Sequence, residues 1–529
     1  MMSISISLSD KVLIHSSLPT EDNNISDQQR LLTALHEAGF ENIKLPLPVL
    51  RRLYPMFRSE YISAYTVSLV HCDGETVVTR VEPGDTTADH YGIAIDYGST
   101  TLQAQLVRLP EGEVLYECKE ENLQRRYGTD ILTRIIYGME GEKQKNDLRL
   151  ATIETFHKCF DDIRQATGVD SSQCPALVIS GNTTMVHFLL GLDASTVFFA
   201  PYAPVTTYPG FFRGEELDLN FPGMVYIMPS ASNYVGGDII SGLLAVDLRK
   251  NEEVGMFFDV GTNGELVIGN NEWMVAGAGA AGPALEGYIS KYGTTAQPGA
   301  IDHVVIDGPK LTYTTIDGGK PMGICGSGII DLVAEMRLAG WIDIQGNLQP
   351  EASPSIVYRE DTECYAAVYA SAEESAQGSP LYFSQTDIFQ YIETKAAAHT
   401  MVDCLLDSVM LTLEDVDKMY LSGSFCSHAN LESAITIGMF PDLPREKFSL
   451  LVNSSLDGAR ILLTNRGKLA EIQDLLSAIY CVQFASVPDF MIHMRASKFI
   501  PHTDMEQYPS VKRALEERSH RTGTGKDSV

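Results

Sequence analysis

The spacing of apolar and polar positions predicts a small α/β module in residues 1–88. Two apolar runs, at residues 4–8 and 67–70, are typical of strands. Between them, the stretch "DQQRLLTALHEAGF" (27–40) repeats its leucines at helical spacing and ends on a glycine. The turn "VEPGD" (81–85) then separates this module from the rest of the chain.

Beyond the module, one pattern of elements occurs twice. Each occurrence opens with an apolar strand, a glycine-containing turn and a second strand, and continues into helices. The second occurrence contains a long helical stretch for which Ser384 is a suitable N-cap. We therefore predict a first lobe at residues 89–250 and a second lobe at 251–510. The polar tail at 511–529 is predicted to be disordered.

Composition narrows the functional classes. The chain has 529 residues, 44% hydrophobic and 20% charged, with a formal net charge of −30. Nucleic acids and anionic membranes are bound mainly through basic clusters, so this acidic balance disfavours both as partners. No apolar run is long enough to span a bilayer, and the N-terminus lacks the pattern of a signal peptide. The sequence predicts a cytoplasmic protein.

The nine cysteines do not have the spacing of a metal cluster. No C-x-x-C pair occurs among them. Iron–sulfur and zinc sites normally show such short repeats, so we expect no iron–sulfur cluster on this chain. An odd number of cysteines without a signal peptide indicates reduced, mostly buried thiols.

Two short hairpins carry the most informative chemistry. The first is "YGIAIDYGSTTLQAQLV" (91–107), in which Asp96 ends an apolar strand just before a turn. The second is "GMFFDVGTNGELVIG" (255–269), in which Asp259 has the same position. One turn of this kind is common, but two copies that each open a half of the chain indicate function.

The residue types in these turns suit a phosphate bound together with a metal ion. Glycine permits unusual backbone angles and close approach, while successive N–H groups and hydroxyls form an anion-binding nest. A carboxylate at the end of the strand suits Mg²⁺, directly or through water, and the metal bridges phosphate oxygens. Asp96 and Asp259 are therefore the predicted metal residues, and two facing hairpins would hold a polyphosphate. The predicted phosphate contacts are Gly98, Ser99, Thr100, Thr101, Gly261, Thr262, Asn263 and Gly264.

At this point the sequence resembles the actin/Hsp70/sugar-kinase (ASKHA) superfamily. "AIDYGSTT" looks like its first phosphate loop and "FDVGTNGE" like its second. The stretch "MYLSGSFCSH" (419–428) is similar to its adenosine loop, which implies nucleotide contacts from Gly423, Ser424 and Phe425. The alternative interpretation of 419–428 is a buried strand and turn.

A narrower resemblance is to the reductive activators of corrinoid proteins, a branch of that superfamily. Six motifs appear in order over roughly residues 85–500: "VISGNTTMVHFLLGLD", "SNYVGGDIISGLLA", "FDVGTNGELVIGN", "GAGAAGPALEG", "GICGSGIID" and "SQTDI". The resemblance implies a two-lobed actin-like (ribonuclease-H-like) α/β ATPase core behind a small linker domain. It also implies ATP, Mg²⁺ and a corrinoid protein of a methyltransferase system as ligands and partner. In that family ATP hydrolysis helps to reduce cob(II)alamin to cob(I)alamin.

The sequence departs from the family in its electron supply. Family members usually receive the electron through an iron–sulfur domain on the same chain, and no such cysteine cluster is present in this sequence. A separate redox protein is therefore expected as the electron donor. The alternative is that this chain performs a different function from the family. The sequence does not decide whether the chain forms a homodimer.

Asp238, in "GGDIISGLLA", resembles the position of the general base in sugar kinases, and here would act on water. Its alternative role is a first-turn acid favoured by the helix dipole.

A candidate phosphate or ribose site lies ahead of an apolar helix and consists of Gly326, Ser327 and Gly328. Cys325 beside them is predicted to be packed and unreactive.

Six further residues are candidates for either a functional or a structural role. Glu265 could reach the metal or point to solvent. Asn182, Thr183 and Thr184 resemble a connecting motif, and a hinge is favoured over phosphate contact. His187 is predicted to be a core histidine. Glu286 is the carboxylate of a small-residue stretch that either covers the nucleotide or packs tightly.

Two other functions use the same residues. A small-molecule kinase would use Asp238 to deprotonate a hydroxylated acceptor, and turnover would depend strictly on that acceptor. A non-hydrolytic module would bind ATP only to set its own shape, and Asp238→Ala would change nothing. The motifs shared with the activators argue against the first, and the three aspartates argue against the second.

Overall fold

The computed structural model describes residues 6–58, 62–261, 263–279, 289–423, 429–484 and 487–521. The chain divides into two compact units. The first unit consists of Met1–Arg249 and Ser454–Ile479, and the second of Lys250–Asn453 and Tyr480–Val529. A segment from late in the sequence therefore belongs to the first unit.

The N-terminal module is a four-stranded sheet with the order β1-β3-β4-β2 and two helices. Its elements are β1 (Ser9–His15), α1 (Asp27–Glu37), β2 (Ile43–Lys44), α2 (Leu47–Met56), β3 (Ala64–Cys72) and β4 (Glu75–Pro83). Ser26 caps α1 through a capping box with Gln29, and α1 buries Leu31 and Leu35 as its spacing predicts.

The first strand begins later than the sequence predicts. Residues 6–8 are not in a strand, and Ser9 begins β1 by pairing with Val70 of β3. Leu8 instead donates its N–H to the carbonyl of Leu463 at 2.9 Å. The backbone hydrogen bonds of this segment thus go to a part of the chain that local periodicity cannot anticipate.

The remainder of the first unit is built on a six-stranded sheet with the order β7-β6-β5-β8-β10-β9. Strands β5, β6 and β7 form an antiparallel meander, and β8 and β10 then continue the sheet parallel to β5. The carboxyl ends of β5, β8 and β10 consequently lie at one edge. The elements are β5 (Tyr91–Tyr97), β6 (Thr101–Arg108), β7 (Glu113–Glu121), α3 (Ile131–Met139), α4 (Glu142–Thr167), β8 (Ala176–Gly181), α5 (Thr183–Leu190), α6 (Ser195–Phe198), β9 (Gly210–Arg213), β10 (Met224–Ile227) and α7 (Gly237–Ala245).

The second unit repeats five strands of this arrangement. Its six-stranded sheet has the order β21-β20-β11-β12-β13-β22, again an antiparallel meander followed by parallel strands. Ser384 caps the long helix α9, as predicted. The elements are β11 (Gly255–Val260), β12 (Gly264–Gly269), β13 (Met274–Gly279), β14 (Ala300–Asp307), β15 (Lys310–Thr315), β16 (Gly323–Ile324), α8 (Gly326–Leu338), β17 (Ile356–Arg359), β18 (Cys364–Ala370), β19 (Leu381–Ser384), α9 (Gln385–Ser408), β20 (Lys418–Ser422), α10 (Leu431–Thr436) and β21 (Phe448–Leu450).

The chain then returns to the first unit before finishing in the second. Helices α11 (Ser454–Thr464) and α12 (Lys468–Ala478) pack in the first unit, where α11 contacts α7, β5 and β8. The elements β22 (Ile479–Val482), α13 (Phe490–Ala496) and α14 (Pro509–Arg521) follow. Among the described residues, no helix is both long and apolar enough to cross a membrane.

The prediction of a disordered tail from residue 511 is wrong for its first part. Residues up to Arg521 form α14, and Val511 is only 2% exposed in the core of the second unit. The guanidinium of Arg518 pairs with Glu335 of α8 at 2.9 Å. Although the segment is polar in composition, one face of α14 is buried and Arg518 forms an ion pair. These two contacts hold the helix against the second unit. Residues 522–529 lie outside the described residues.

We expect Val511→Ala to lower the free energy of unfolding by about 2 kcal/mol, because two buried methyl groups are lost and a cavity remains. Urea unfolding of the full chain measures this change. Arg513→Ala, at an exposed position of the same helix, is the control and should change stability by less than about 0.5 kcal/mol. Equal, negligible effects of both substitutions would contradict the docking of α14.

Candidate nucleotide site

The first hairpin places Asp96 at the carboxyl edge of the parallel strands. Asp96 pairs across the antiparallel ladder with Gln103 and lies beside Ser180 of the parallel strand β8. The turn that follows is closed by the N–H of Gly98, which donates to the carbonyl of Thr101 at 3.1 Å. A Cβ on Gly98 would lie 2.6 Å from that carbonyl oxygen, so close approach requires glycine there.

The carbonyl groups of this turn accept hydrogen bonds from other residues of the first unit. The Asn122 side chain donates to the carbonyl of Gly98 at 2.9 Å, and the Asn122 backbone N–H donates to that of Thr100 at 2.9 Å. The Arg134 guanidinium donates to the carbonyl of Ser99 at 2.7 Å. The backbone N–H groups of Ser99 and Thr100 donate to no acceptor within the described part of the chain. A turn with bound carbonyls and available N–H groups is the composition of an anion nest.

Arg134 brings a buried cation to this turn. Its side chain is fully buried, and burial lowers the pKa of the guanidinium to about 10. Besides Ser99, it donates to the carbonyl of Gly128 at 2.9 Å, and its Nη2 atom has no hydrogen-bond partner among the described residues. A buried cation with these neutral partners gives the site a positive potential that favours an anion.

A chain of hydrogen bonds links Asp96 to the helix that carries Asp238. The Ser455 hydroxyl, in the first turn of α11, donates to Asp96 Oδ1 at 2.8 Å and lies 2.9 Å from the hydroxyl of Ser180. Ser180 in turn donates to the carbonyl of Gly237 at 3.1 Å. Gly237 is the first residue of α7, so the network fixes this helix relative to Asp96.

Asp238 lies in the first turn of α7, where its carboxylate accepts the N–H of Ile239 at 2.9 Å. The N-terminus of α5 meets this turn, because Gly236 lies against the backbone of Asn182. Asn182 caps α5 by accepting the N–H of Met185 at 3.0 Å. Two helix N-termini and two carboxylates therefore belong to one edge of the sheet, where the helix dipoles favour a phosphate.

The residues beside Asn182 have structural roles. Thr183 and Thr184 are buried, and the hydroxyl of Thr183 donates to the carbonyl of Ser232 at 3.1 Å. His187 is fully buried, with Nδ1 donating to the carbonyl of Thr183 at 2.7 Å and Nε2 accepting from Val205. Its prediction as a core histidine is confirmed, and burial lowers the pKa of this imidazole.

The second hairpin has matching geometry within its own unit. Asp259 pairs with Glu265 across the antiparallel ladder and with Ser422 of the parallel strand β20. The N–H of Gly261 donates to the carbonyl of Asn263 at 2.9 Å and closes the turn. The predicted contact Thr262 lies outside the described residues.

Each aspartate is accompanied by a Ser-Gly pair at the end of the neighbouring parallel strand. A Cβ on Gly181 would lie 2.8 Å from the carbonyl oxygen of Tyr97, and one on Gly423 would lie 2.3 Å from that of Val260. Gly423 also has a φ of +106°, which L-residues rarely adopt. The sequence carries this second repeat as "ISG" and "LSG", a signal that the hairpins alone do not include.

Three other predicted contacts lie elsewhere in the second unit. Gly326, Ser327 and Gly328 form the N-terminus of α8, and a Cβ on Gly328 would lie 2.4 Å from the carbonyl oxygen of Ile301. Gly328 therefore has a packing role whatever else it does. Cys325 is buried, as predicted. The predicted contacts Ser424 and Phe425, and Glu286, lie outside the described residues.

The donor set fits Mg²⁺. Asp96 and Asp259 each end a strand immediately before a turn and are each half-buried, and carboxylate oxygen is the ligand type that Mg²⁺ prefers. Within its own unit, each carboxylate is therefore a suitable ligand for the ion, directly or through water.

Sequence reasoning missed four residues that shape this site: Asn122, Gln124, Arg134 and Ser455. Gln124 is fully buried and accepts from Arg134 at 3.3 Å. None of the four lies in a glycine-rich motif, and Ser455 comes from a helix far along the chain. No sequence signal marks Arg134, because its burial is visible only in the structure.

Two sheets that share the order of five strands, each with an Asp-x-Gly hairpin beside a Ser-Gly strand, define an actin-like α/β core with a nucleotide-type site. Residues 253–512 match the family described as the C-terminal domain of RACo, the ASKHA domain. Residues 91–251 match the RACo middle region, and residues 6–88 match the RACo linker region.

The chain belongs to the family of reductive activators of corrinoid proteins. It is similar to a solved structure described as "Reductive activator for corrinoid,iron-sulfur protein", with 35% identity and a TM-score of 0.86. That match covers 97% of this chain and 82% of the other. The predicted fold class, an actin-like core with a small N-terminal α/β linker domain, is confirmed.

Two curated relatives are more distant. "Corrinoid activation enzyme RamQ" of Eubacterium limosum is 26% identical over 440 residues, which cover 82% of this chain and 74% of the relative. "[Co(II) methylated amine-specific corrinoid protein] reductase" of Methanosarcina barkeri is 21% identical over 425 residues, which cover 74% of this chain and 73% of the relative.

Proposed function

We propose that this protein is an ATPase that activates a corrinoid protein by promoting reduction of cob(II)alamin to cob(I)alamin. The observation that carries the proposal is the turn at residues 98–100, whose carbonyls are bound by Asn122 and Arg134. This arrangement directs backbone N–H groups to an anion and is combined with a repeated aspartate. Membership of the activator family supports activation of a corrinoid protein as the process that ATP hydrolysis drives.

The nucleotide is held by the repeated elements. Asp96 and Asp259 are the residues that would act as ligands of Mg²⁺, and the ion would neutralise charge on the phosphate oxygens. The two turns and the helix N-terminus of α8 bind phosphate or ribose, and the end of β20 binds the adenosine. The residues assigned to these contacts are Gly98, Ser99, Thr100, Thr101, Gly261, Thr262, Asn263, Gly264, Gly326, Ser327, Gly328, Gly423, Ser424 and Phe425.

Asp238 acts on the attacking water. Its carboxylate orients the water and accepts its proton as the phosphorus–oxygen bond to ADP breaks. The products are ADP and phosphate. The network through Ser455, Ser180 and Gly237 positions the helix that carries this carboxylate.

The reductive step transfers one electron to cobalt, from Co(II) to Co(I). We assign the electron to a separate low-potential redox protein, because this sequence contains no iron–sulfur spacing. Nucleotide can drive the step only by changing the affinity of this protein for the two states of its corrinoid partner. Hydrolysis then resets that affinity.

Arg134→Met should weaken ATP binding about 10–100-fold, because the carbonyl of Ser99 loses a charged donor worth about 1.5–3 kcal/mol. Isothermal titration calorimetry with Mg-ATP measures the change. The control is Arg126→Met, eight positions earlier, where the exposed guanidinium pairs with Glu154. Unchanged affinity in folded Arg134→Met protein would remove the turn from the nucleotide site.

Asp238→Ala should lower kcat for ATP hydrolysis by about 10²–10⁴-fold, the usual contribution of a general base, and leave ATP affinity within a few-fold. Phosphate release without any added acceptor measures kcat. Asp161→Ala, at an exposed position on α4, is the control. An unchanged kcat would support the non-hydrolytic module, and strict dependence on a hydroxylated acceptor would support the kinase.

The decisive experiment follows the absorbance of cob(I)alamin when the protein is mixed with a cob(II)alamin protein, a strong reductant and Mg-ATP. Reduction is expected to need both ATP and this chain, and to fail with Asp238→Ala. Corrinoid proteins encoded beside this chain are the partners to use. Equal cob(I) formation with and without ATP, for every such partner, would overturn the assignment.

A further inference from the structure

A buried cluster of histidine and aspartate lies in the second unit, away from the turns described above. His399 and Asp403 occupy one face of α9, at a spacing of four residues. His502 approaches them from the segment between α13 and α14. His399 is fully buried, His502 is 6% exposed, and the side chain of Asp403 is 17% exposed.

The distances within this cluster do not suit hydrogen bonds. One donor atom from each of the three side chains can be chosen so that all lie within 4.8 Å of one another. The Nε2 atom of His399 lies 3.6 Å from Asp403 Oδ2, which is too long for a hydrogen bond. This buried nitrogen has no hydrogen-bond partner within the described part of the chain. A buried polar atom without a partner costs about 1–3 kcal/mol and indicates that something else contacts it.

We propose that His399, Asp403 and His502 bind a divalent transition-metal ion such as Zn²⁺. Two imidazoles and one carboxylate are a common ligand set for such ions. Bonds of about 2.0–2.1 Å around a tetrahedral ion place the ligand atoms roughly 3.3 Å apart, so closure of the cluster by at most about 1.5 Å suffices.

The surroundings of His399 fit a ligand role. Its other ring nitrogen, Nδ1, lies 3.2 Å from the hydroxyl of the buried Tyr508. Metal-bound histidines usually have their second nitrogen fixed in this way, which orients the ring.

Both acidic and basic side chains lie beside the cluster. His493 lies 3.5 Å from Asp403 and 2.7 Å from Asp407, so a second carboxylate stands beside the cluster. Lys395 is one turn before His399 on α9 and is buried. Its Nζ donates to the carbonyls of Phe499 and Pro501, which fixes the segment that carries His502.

His502 must adjust when the ion binds. The backbone N–H of Asp504 donates to its Nδ1 at 3.1 Å. Binding through Nε2 requires the ring proton to move to Nδ1, and binding through Nδ1 replaces the contact with Asp504. In either case the ion would connect α9 to a segment about a hundred residues later and stabilise the C-terminal part of the second unit.

The experiment uses tag-free, full-length protein treated with a chelator and titrated with Zn²⁺ or Co²⁺ alone, without nucleotide or corrinoid. We expect one ion per chain, an intense visible Co²⁺ spectrum typical of four or five ligands, and a higher Tm with Zn²⁺. Because no ATP or partner protein is present, the result is independent of the proposed ATPase activity.

Matched variants locate the site. Asp403→Asn and His502→Gln should abolish the Co²⁺ spectrum, and Tyr508→Phe should weaken Zn²⁺ binding about 10–100-fold by releasing the ring of His399. His36→Gln, a half-exposed histidine of α1, is the control for adventitious binding. Circular dichroism checks that each variant is folded.

Either of two results would overturn the proposal. One is a wild-type Co²⁺ spectrum of weak, six-coordinate type with no change in Tm. The other is equal Zn²⁺ affinity in wild-type protein and in folded Asp403→Asn protein. If Asp403→Asn does not fold, the comparison of Tyr508→Phe with His36→Gln makes the same decision.

Discussion

The steric contact between the glycine of each Ser-Gly strand end and the carbonyl that follows each aspartate determines the geometry of both hairpins. At Gly181 and Gly423 a methyl group would overlap the neighbouring strand, so the two strands approach as closely as backbones can. Parallel pairing then places Asp96 beside Ser180 and Asp259 beside Ser422. Everything that makes these edges chemically useful depends on this register, because a slip of one residue would turn each carboxylate to the opposite face.

In the first unit, this register brings together groups that would separately be unremarkable. The carboxyl ends of parallel strands meet at one edge, and the N-termini of α5 and α7 follow them. Asn122 and Arg134 bind the carbonyls of the turn, whose backbone N–H groups at Ser99 and Thr100 have no acceptor within the described residues. The result is a concentration of positive potential around a carboxylate, which suits a metal bound together with phosphate.

Buried polar atoms without partners occur in both units and have different meanings. In the first unit, the Nη2 atom of Arg134 lies in a guanidinium already engaged by neutral oxygens next to the turn. In the second unit, the Nε2 atom of His399 faces a carboxylate at a distance that a bridging ion would explain. Both atoms carry a cost in free energy that the protein retains, and retained cost of this kind concentrates at functional sites.

The sequence by itself determined the fold class, the helices with clear caps such as α1 and α9, and the duplicated Asp-x-Gly hairpin. These features are local, since periodicity, capping and turn chemistry act over a few residues. The tertiary structure decided where β1 begins, that α14 is docked, and that Ser455 reaches Asp96 across 359 positions of sequence. It also decided that Asn122 and Arg134 support the turn and that His502 meets His399. Those contacts depend on how the chain returns through each unit, and no local pattern encodes that path.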